Sequence, residues 1–407
     1  MKFWNKVGMV VIAGLVLIVF VLPNTINFRE RDAFSQDKRL EWAAQYYHIS
    51  SVPDSVLIPP GEWYDRGGAH PLFFGEKYRD LWGTPVKVRV LKYDEIKGGL
   101  TPKQIGGGQQ TFSVDFLDGQ EREWAVRSVN KDQSKALPKV LRWTVFRFMF
   151  RDQAASMNPY GSLILPPMAE AINIYHTNPV LVFVPFDESK KEFNDVLAGR
   201  MALLENDADG SWEKDAFFDN ASEIDDTEEM LERAREKGIP LDTLMYARSR
   251  LFDLLISDWD RHEGQWKWAL VEEGGQKIYR PIPGDRDMAL YRFNEGLFPK
   301  ITLLLNPKFQ SFRKDYGRVK GLTRQAADMD RQFLASISLT QMVALAEEIK
   351  AALTDEVIEE AFQRYPAEIR EKVGREHAEI MRIRRDKLPE VAREFWEITQ
   401  KNIKKNR

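Results

Sequence analysis

Two short stretches contain acidic, basic and amide side chains at spacings that could do chemistry. "ISDWDRHEGQW" covers residues 256–266, and "PIPGDRDMAL" covers residues 281–290. In each stretch the charged residues stand where an apolar run has just ended. Carboxylates gathered in one place repel each other unless protons or a cation intervene. The two stretches therefore indicate either a structural Asp–Arg network, built with Arg261 and Arg286, or a site for a metal ion and phosphate.

The segment between these stretches has the pattern of a β-hairpin. "WKWALV" alternates in polarity, "EEGG" supplies turn residues, and "QKIYRPI" forms the returning strand. Adjacent strands lie ~4.8 Å apart, so the loops at the open end of a hairpin are neighbours. We therefore expect Asp258 and Asp260, before the first strand, to meet Asp285 and Asp287, after the second. Oxygen ligands of this kind suit Mg²⁺ or Mn²⁺.

The composition limits the classes of protein to which the chain can belong. The chain has 407 residues, of which 43% are hydrophobic and 30% charged, and this suits one large domain or two moderate ones. Its 59 basic and 62 acidic residues nearly cancel, which argues against a general nucleic-acid binder. The chain has no cysteine, so disulfides, thiolate metal sites and cysteine nucleophiles are excluded.

The N-terminus carries a long apolar run. "MKFWNK" contains two lysines, and residues 7–22 are apolar or glycine throughout. As a helix this run would span roughly 24 Å, a little less than a bilayer core. We interpret residues 1–23 as an uncleaved membrane-anchor helix, because no small-residue cleavage site follows; a cleaved signal peptide is the alternative. The basic flank indicates a cytoplasmic N-terminus, so we expect the rest of the chain on the extracytoplasmic side.

The rest of the chain divides into three regions. Residues 24–85 are rich in aromatic residues and proline, and we expect this lead-in segment to pack on the main body. Residues 86–200 carry strand patterns such as "VKVRVL", "TFSVDFL" and "EWAVRSV". Residues 201–407 are mainly helical, and "LPEVAREFWEI" has its proline, Pro389, at a plausible first helical position. The predicted fold class is α+β, with a strand-rich N-terminal lobe and a mainly helical C-terminal lobe.

A glycine-rich stretch between two strand patterns predicts a loop that can approach phosphate groups. Backbone N–H groups in such a loop reach phosphates because no side chains intervene, although a flexible turn is the alternative. A basic residue follows on or just after the strand "EWAVRSV". The candidate phosphate-binding residues are Gly106, Gly107, Gly108, Gln109, Gln110, Thr111, and Arg127 or Lys131.

These features resemble the protein-kinase-like superfamily. The similarity rests on "DWDRHEGQW" followed by "PGDRDMAL", and on the order strand, glycine-rich loop, strand, turn, strand. It covers residues 86–290 and is greatest to the atypical branches, namely the HipA-type bacterial kinases, the spore-coat CotH kinases, the secretory-pathway kinases and the phosphoinositide kinases. The resemblance implies a two-lobed protein-kinase-like fold.

The resemblance also implies roles for individual residues. Asp260 matches the catalytic aspartate, which would orient or deprotonate an acceptor hydroxyl. Asp287, with Asp285 as its rival and Gln265 at the amide position, would hold Mg²⁺ or Mn²⁺ against the phosphates of ATP or another nucleoside triphosphate. Glu170 would be the acidic partner of the phosphate-binding cation.

The chain departs from the family pattern at three points. Family members usually have Asn where this chain has Gln265, and Lys where it has Arg127. The Phe-Gly pair that normally follows the metal-binding aspartate is missing after Asp287.

We therefore expect a membrane-anchored, atypical kinase-like enzyme that phosphorylates a protein or small-molecule hydroxyl and binds no nucleic acid. Because nucleotide is scarce outside the cytoplasm, the alternative is a catalytically inactive kinase-like binding module in the cell envelope. A metal-dependent phosphohydrolase that uses the same carboxylates on water is a third hypothesis.

Overall fold

The computed structural model describes residues 3–21, 28–106, 111–210 and 212–405. Its strands form one seven-stranded sheet and one three-stranded sheet, and helices make up most of the second half, so the predicted α+β class is confirmed. The strands are β1 Ser55–Ile58, β2 Val86–Val90, β3 Thr101–Gly106, β4 Ser113–Leu117, β5 Glu123–Ser128, β6 Val180–Val184, β7 Arg200–Asn206, β8 Glu223–Asp226, β9 Trp266–Glu273 and β10 Gln276–Pro283.

The described helices are numbered in chain order. A π-helical segment, Leu17–Val21, continues the first helix, and another, Arg370–Gly374, joins the last two. The helices are α1 Phe3–Val16, α2 Phe28–Ala33, α3 Gln36–Tyr46, α4 His70–Phe74, α5 Arg79–Gly83, α6 Val145–Gln153, α7 Leu165–Ala171, α8 Lys191–Leu197, α9 Thr227–Lys237, α10 Thr243–Leu255, α11 Leu297–Leu305, α12 Val319–Leu322, α13 Ala327–Phe333, α14 Leu339–Ala352, α15 Asp355–Gln363, α16 Ala367–Ile369 and α17 Arg375–Lys405.

The large sheet has the strand order β1-β2-β6-β7-β5-β4-β3. Its edge strand β1 comes from the lead-in segment and pairs antiparallel with β2. Alternate residues of β2, such as Val86 and Val88, are buried, as the period-two pattern predicts. β3, β4 and β5 form a continuous antiparallel meander, so the glycine-rich stretch joins two paired strands. β5 is an interior strand, because β7 pairs with its other edge.

The C-terminal half packs its helices around the long helix α17, which contacts α10, α13, α14 and α15. Pro389 lies inside α17 rather than at a first helical position, so that prediction was wrong. A proline there removes one backbone hydrogen bond. The helix continues through it because residues on both sides, including Met381, Leu388 and Phe395, are fully buried.

One buried side chain of α17 supports the end of α10. Arg384 donates hydrogen bonds to the carbonyl oxygens of Leu254 and Leu255, each at 2.7 Å. These carbonyls belong to the last turn of α10, where a cation is favoured by the helix dipole. The same guanidinium donates to the carbonyl of Asp315 at 2.8 Å. Arg384 therefore fixes the point at which the first acidic stretch leaves the helix.

The N-terminal helix α1 and its continuation are apolar and exposed. Val10 is 72% exposed and Ile12 is 63% exposed. Among the residues that the structure describes, no helix is both long enough and apolar enough to cross a membrane. The anchor expected for residues 1–23 therefore stays a prediction.

Candidate functional site

The hairpin of β9 and β10 brings the two acidic stretches side by side. The strands pair in register from Trp266 opposite Pro283 to Glu273 opposite Gln276. We call residues 257–265 the first acidic loop and residues 284–290 the second acidic loop. Arg261 of the first loop donates to the carbonyl of Gly284 at 2.6 Å, and the N–H of Gly284 donates to the carbonyl of Gln265 at 3.0 Å. Backbone and side-chain bonds thus join the loops directly.

Left-handed backbone conformations mark the ends of both loops. Ser257, Asp285 and Leu290 have φ angles of 58°, 43° and 59°. Such conformations are unfavourable by ~1–3 kcal/mol for residues other than glycine and persist only where surrounding contacts impose them. Here the N–H of Leu290 donates to the carbonyl of Ile256 at 2.7 Å, which ties the end of the second loop to the start of the first.

A cation from the large sheet reaches the second acidic loop. Lys131, three residues beyond the end of β5, is bonded through its ammonium to Asp287 and lies 3.9 Å from Asp285. Burial alone would lower the pKa of Lys131, but the charges of Asp285 and Asp287 outweigh it and raise the pKa. The ammonium therefore stays charged and connects the two halves of the chain at the acids.

The two carboxylates beneath Lys131 have opposite pKa shifts. Burial and the charge of Asp285 raise the pKa of Asp287 to about 7, although Lys131 opposes the rise. Burial also opposes ionisation of Asp285, but Lys131 and Arg127 outweigh it and lower the pKa. Two neighbouring carboxylates that share one cation do not both ionise easily. At neutral pH, Asp285 is ionised and Asp287 is partly protonated.

Asp260 approaches the same acids from the first loop. It is partly exposed, and its charge contributes to the raised pKa of Asp287. Its backbone N–H donates to Asp258 at 3.1 Å. Asp258 is fully buried, and burial, opposed in part by Arg261, raises the pKa of Asp258 to about 8. Of the two first-loop aspartates, Asp260 is therefore the one open to a ligand.

Beneath the site lies a buried network that sequence reasoning missed. Asp253 of α10 is fully buried; it accepts hydrogen bonds from Arg250 at 3.0 Å and Arg286 at 3.1 Å, and Arg261 lies 3.3 Å away. Arg261 and Arg286 come from the first and second loops, so one carboxylate holds both. The signal was present as an acidic residue on the buried face of an apolar helix, which is rare without a partner.

The acidic stretches were interpreted either as an Asp–Arg network or as a site for a metal ion and phosphate. The structure contains the network, and the candidate metal ligands lie beside it. The Asp–Arg network exists, but its arginines pair with Asp253 rather than with the second-loop acids. Asp285 and Asp287 face Lys131 instead. The acids that were proposed to hold a cation thus form no ion pair with Arg261 or Arg286 among the described residues, although Arg127 and Arg261 act on Asp285 at longer range.

Arg127 is held differently from Lys131. It lies on β5, 3.5 Å from Glu205 and 3.5 Å from Asp207. Burial alone would lower the pKa of Arg127, but these acids and Asp285 raise it, while burial raises the pKa of Glu205. The guanidinium already has two carboxylate partners, and β5 is an interior strand.

The glycine-rich stretch is described only at its ends. Gly106 closes β3, and a Cβ there would lie 2.6 Å from the Asp115 carboxylate, so a larger residue would require the Asp115 side chain to move. Thr111 precedes β4 on the other side. Gly107, Gly108, Gln109 and Gln110 lie outside the described residues.

Of the two candidates Glu170 and Gln265, only Gln265 lies near Asp285 and Asp287. The Gln265 amide nitrogen is 3.5 Å from Asp285, at the outer limit of a hydrogen bond. Glu170 is exposed on α7, contacts His176 at 3.5 Å, and lines a separate cavity of about 510 Å³ that also contains Arg248 and Arg280. The structure thus brings Gln265 to the acids, whereas Glu170 lies apart from Lys131 and Arg127.

The donors at the cluster are two carboxylates and one amide. Within the described part of the chain, no three His, Asp or Glu side chains are grouped as a ready-made metal site. Mg²⁺ is commonly bound by only one or two carboxylates and takes its remaining ligands from water and substrate phosphates. The partly protonated Asp287 beside Asp285 is an oxygen pair whose repulsion such a cation would relieve. The residues present therefore fit a hard divalent cation.

The chain was compared with known families, curated proteins and solved structures. It matches no family and no curated protein. Among solved structures it is similar to the proinflammatory kinase CtkA of Helicobacter pylori, with a TM-score of 0.36 and 13% sequence identity over 72% of this chain and 94% of that one.

Replacement of Asp253 by asparagine should destabilise the protein strongly. The change leaves Arg250, Arg261 and Arg286 buried with a weaker partner, and breaking a buried ion pair costs about 3–5 kcal/mol. Chemical unfolding by urea, followed by fluorescence, measures the loss. The matched control is Asp328→Asn, an 88% exposed partner of Arg331, which should change stability by less than about 1 kcal/mol. Equal stability of the two variants would contradict the assignment.

Proposed function

We propose that this protein is an atypical, kinase-like phosphotransferase that transfers phosphate from ATP or another nucleoside triphosphate to a hydroxyl acceptor. One observation carries the proposal: Lys131 from the sheet meets Asp285 and Asp287, while Asp260 approaches the same acids from the other loop. Phosphoryl transfer needs little more than positioning and charge neutralisation, and this arrangement combines a cation, a pair of metal-type ligands and a carboxylate for the acceptor.

Asp260 would orient the acceptor hydroxyl and take its proton. Its partial exposure supports this role, because the neighbouring Asp258 is buried and cannot meet a substrate. A carboxylate that receives a hydroxyl proton must lie within hydrogen-bond reach of that hydroxyl. The fixed connection between the two loops, through Arg261 and Gly284, supports a constant position of Asp260 relative to the second loop.

Asp287 and Asp285, with Gln265, would hold Mg²⁺ or Mn²⁺. When bound, the ion would neutralise charge on the nucleotide phosphates. Two protein carboxylates are enough for this type of site, because phosphate oxygens and water complete the coordination. The long contact between Gln265 and Asp285 supports a secondary role for the amide.

Lys131, rather than Arg127, would bind the phosphates. Arg127 is occupied by Glu205 and Asp207, whereas Lys131 lies directly at the proposed metal ligands. The loop from Gly106 to Thr111 joins two paired strands and would cover the phosphates with its backbone N–H groups.

A catalytically inactive binding module is the second candidate function. The observation in its favour is that Lys131 already neutralises Asp287 and Asp285, so the acids have a partner without any metal ion. Such a module would bind a partner or nucleotide in the cleft without turnover.

Replacement of Asp260 by asparagine should abolish transfer and spare nucleotide binding. Loss of a positioned general base typically lowers the rate about 10²–10⁴-fold. The measurement is transfer of label from γ-labelled ATP, with Mg²⁺ or Mn²⁺, to the protein itself or to added hydroxyl acceptors. Glu263→Gln, an exposed change in the same loop, is the control and should keep the wild-type rate.

The outcome of this assay separates the hypotheses. Transfer that survives in Asp260→Asn would contradict the assignment of the catalytic residue. Nucleotide binding without any turnover in the wild-type protein would favour the binding module. Release of labelled phosphate without a labelled acceptor would favour the phosphohydrolase.

Metal binding should weaken as the pH falls below about 7. The pKa of Asp287 is raised to about 7, so below that pH a proton occupies the ligand and must leave before the ion binds. The apparent affinity should fall about tenfold per pH unit below 7 and level off above it. Titration of Mn²⁺, followed by its electron paramagnetic resonance signal between pH 5.5 and 8.5, measures this at about constant ionic strength. An affinity that does not change over this range would contradict the role of Asp287.

We also propose that the apolar N-terminal segment attaches the protein to a membrane, with the remainder on the extracytoplasmic side. The exposed apolar side chains of α1 support this proposal. A second apolar surface is formed by α4 and α11, where the rings of Phe74 and Phe298 are 5.2 Å apart. On it, Leu72, Leu304 and Leu305 are 72%, 74% and 81% exposed. Helices of this type lie with their apolar face in the headgroup region of a bilayer.

A fluorescent label on α11 should enter lipid when the full chain is reconstituted into vesicles. Because the chain has no cysteine, Leu304→Cys provides a single site for an environment-sensitive dye. We expect a blue shift and quenching by spin-labelled lipids. The control is Leu57→Cys on β1, which is 65% exposed and should stay in water. A label at position 304 that stays in water, or that shifts without lipid as protein concentration rises, would contradict membrane contact.

A further inference from the structure

A second cavity, with a volume of about 240 Å³, lies beside Lys131 on the side away from the acidic loops. It is bounded by the start of α3, the residue before β4 and the segment that follows β5. The charged and aromatic side chains that define it are Arg39, Phe112, Lys131, Asp132, Lys135 and Arg200.

The acidic residue of this cavity is already fully paired. Asp132 accepts two hydrogen bonds from Arg151, at 2.9 and 2.7 Å, and one from the Ser134 hydroxyl at 2.6 Å. Lys131 is likewise committed to Asp287. The negative charge of Asp132 and the positive charge of Lys131 are therefore both already paired.

Three cations of the cavity interact with acids only at longer range: Asp132 attracts Lys135 and Arg200, and Asp195 attracts Arg39. In the described ranges, no carboxylate lies within ion-pair distance of Arg39, Lys135 or Arg200, and the stretches outside those ranges contain no Asp or Glu. Arg39 donates to backbone carbonyls of Asp195 and Ala198, and Arg200 donates to the carbonyl of Val196 at 2.9 Å. Clustered charges with neutral partners are unfavourable unless a counter-ion joins them.

Two of the cations, Lys135 and Arg200, contact the same aromatic ring. The ammonium of Lys135 is 3.7 Å from the centre of the Phe112 ring, and the guanidinium carbon of Arg200 is 3.9 Å from the same centre. Burial and the charge of Arg39 lower the pKa of Arg200 to about 9, and burial lowers the pKa of Lys135. Burial is the largest cause of both shifts; neighbouring guanidiniums add to each shift, and the charge of Asp132 opposes it.

The first turn of α3 adds to the positive potential. Ser35 and Gln36 line the cavity at the N-terminus of this helix of 11 residues. The N–H groups of a helix N-terminus favour anions; here Ser35 accepts from the N–H of Lys38, and Asp37 lies in the same turn. The backbone and the three side chains therefore favour the same sign of ligand.

We propose that this cavity binds a phosphoryl group other than the one transferred. Its volume is below the ~300–1,000 Å³ of pockets that enclose a drug-sized molecule, but several times the ~30 Å³ of a water molecule. That size suits a phosphate or a phosphate monoester, whose charge near pH 7 is about −1.5 to −2. Arg39, Lys135 and Arg200 would bind its oxygens.

The position of Lys131 connects this cavity to the proposed active site. Lys131 lines the cavity and also contacts Asp287, so an anion bound in the cavity would compete with the second-loop acids for its ammonium. Binding would thereby free Asp287 and Asp285 for a metal ion. This regulatory consequence rests on the proposed function, whereas the binding of the anion does not.

Binding is tested on the full chain by titration calorimetry with inorganic phosphate and with O-phosphoserine, at fixed ionic strength in chloride. Arg200→Gln and Lys135→Gln should each weaken binding about tenfold, as expected for loss of one charge-assisted hydrogen bond. Lys139→Gln, a change of an exposed residue nearby, should leave it unchanged. Asp287→Asn should also keep phosphate binding, which separates this cavity from the metal-dependent nucleotide site. Thermal unfolding of each variant verifies that it is folded.

Three results would overturn the proposal. These are no binding beyond that of chloride, equal binding by wild type and both cation variants, and loss of binding in Asp287→Asn but not in Arg200→Gln. The source of the phosphoryl group is distinguished by mass spectrometry of the purified chain. A phosphate found on Ser35, together with weak binding of free phosphate that increases in Ser35→Ala, identifies the chain's own modified serine as the ligand; an unmodified Ser35 with tight binding identifies a separate molecule.

Discussion

The candidate site depends on one buried carboxylate, Asp253, which holds Arg261 of the first acidic loop and Arg286 of the second. Burying these charges is costly, and ion pairs in a protein interior seldom add net stability over apolar packing. Here the ion pairs fix the positions of the two acidic loops. A carboxylate held between one guanidinium from each loop allows few other arrangements of those loops. Arg384 acts in the same direction from outside the network, since it binds the final carbonyls of the helix that carries Asp253. The residues that perform the chemistry would thus be separate from those that hold them.

Above this network, the positive charge around Asp285 and Asp287 is too small to balance their negative charge. Burial and the charge of Asp285 raise the pKa of Asp287, even though Lys131 is bonded to Asp287 and lies 3.9 Å from Asp285. Lys131, with Arg127 at longer range, offsets only part of the charge of these carboxylates, and the network below holds the loops that carry them. The same deficit makes the cluster receptive to a divalent cation, since a fixed set of oxygens needs no reorganisation when the ion arrives. The buried, uncompensated negative charge of these fixed carboxylates therefore explains both the raised pKa of Asp287 and the proposed binding of a metal ion.

Part of this arrangement was predictable from the sequence because its signals are local. Alternating polarity and a Gly-Gly turn specify the hairpin, and the hairpin alone brings Asp260 towards Asp287. Two features were not predictable. Asp253 is one acidic residue in an apolar helix, and its partners lie in loops whose paths depend on tertiary packing. The choice between Arg127 and Lys131 depends on where β5 ends, and the side-chain partners of Arg127 come from β7, a strand that the sequence pattern did not reveal.

Lys131 lies between two regions of opposite charge, the acids of the second loop and the cationic cavity, so its position affects both regions. On one side are carboxylates in excess, and on the other are Arg39, Lys135 and Arg200 around Asp132, whose carboxylate is already bonded to Arg151. A single ammonium between regions of opposite charge is drawn towards the acids for as long as the cationic side lacks an anion. Filling that side would reduce the difference in potential across Lys131 and weaken its attachment to Asp287. The occupancy of one cavity would then alter the metal affinity of the other without any movement of the backbone, because the coupling acts through one flexible side chain.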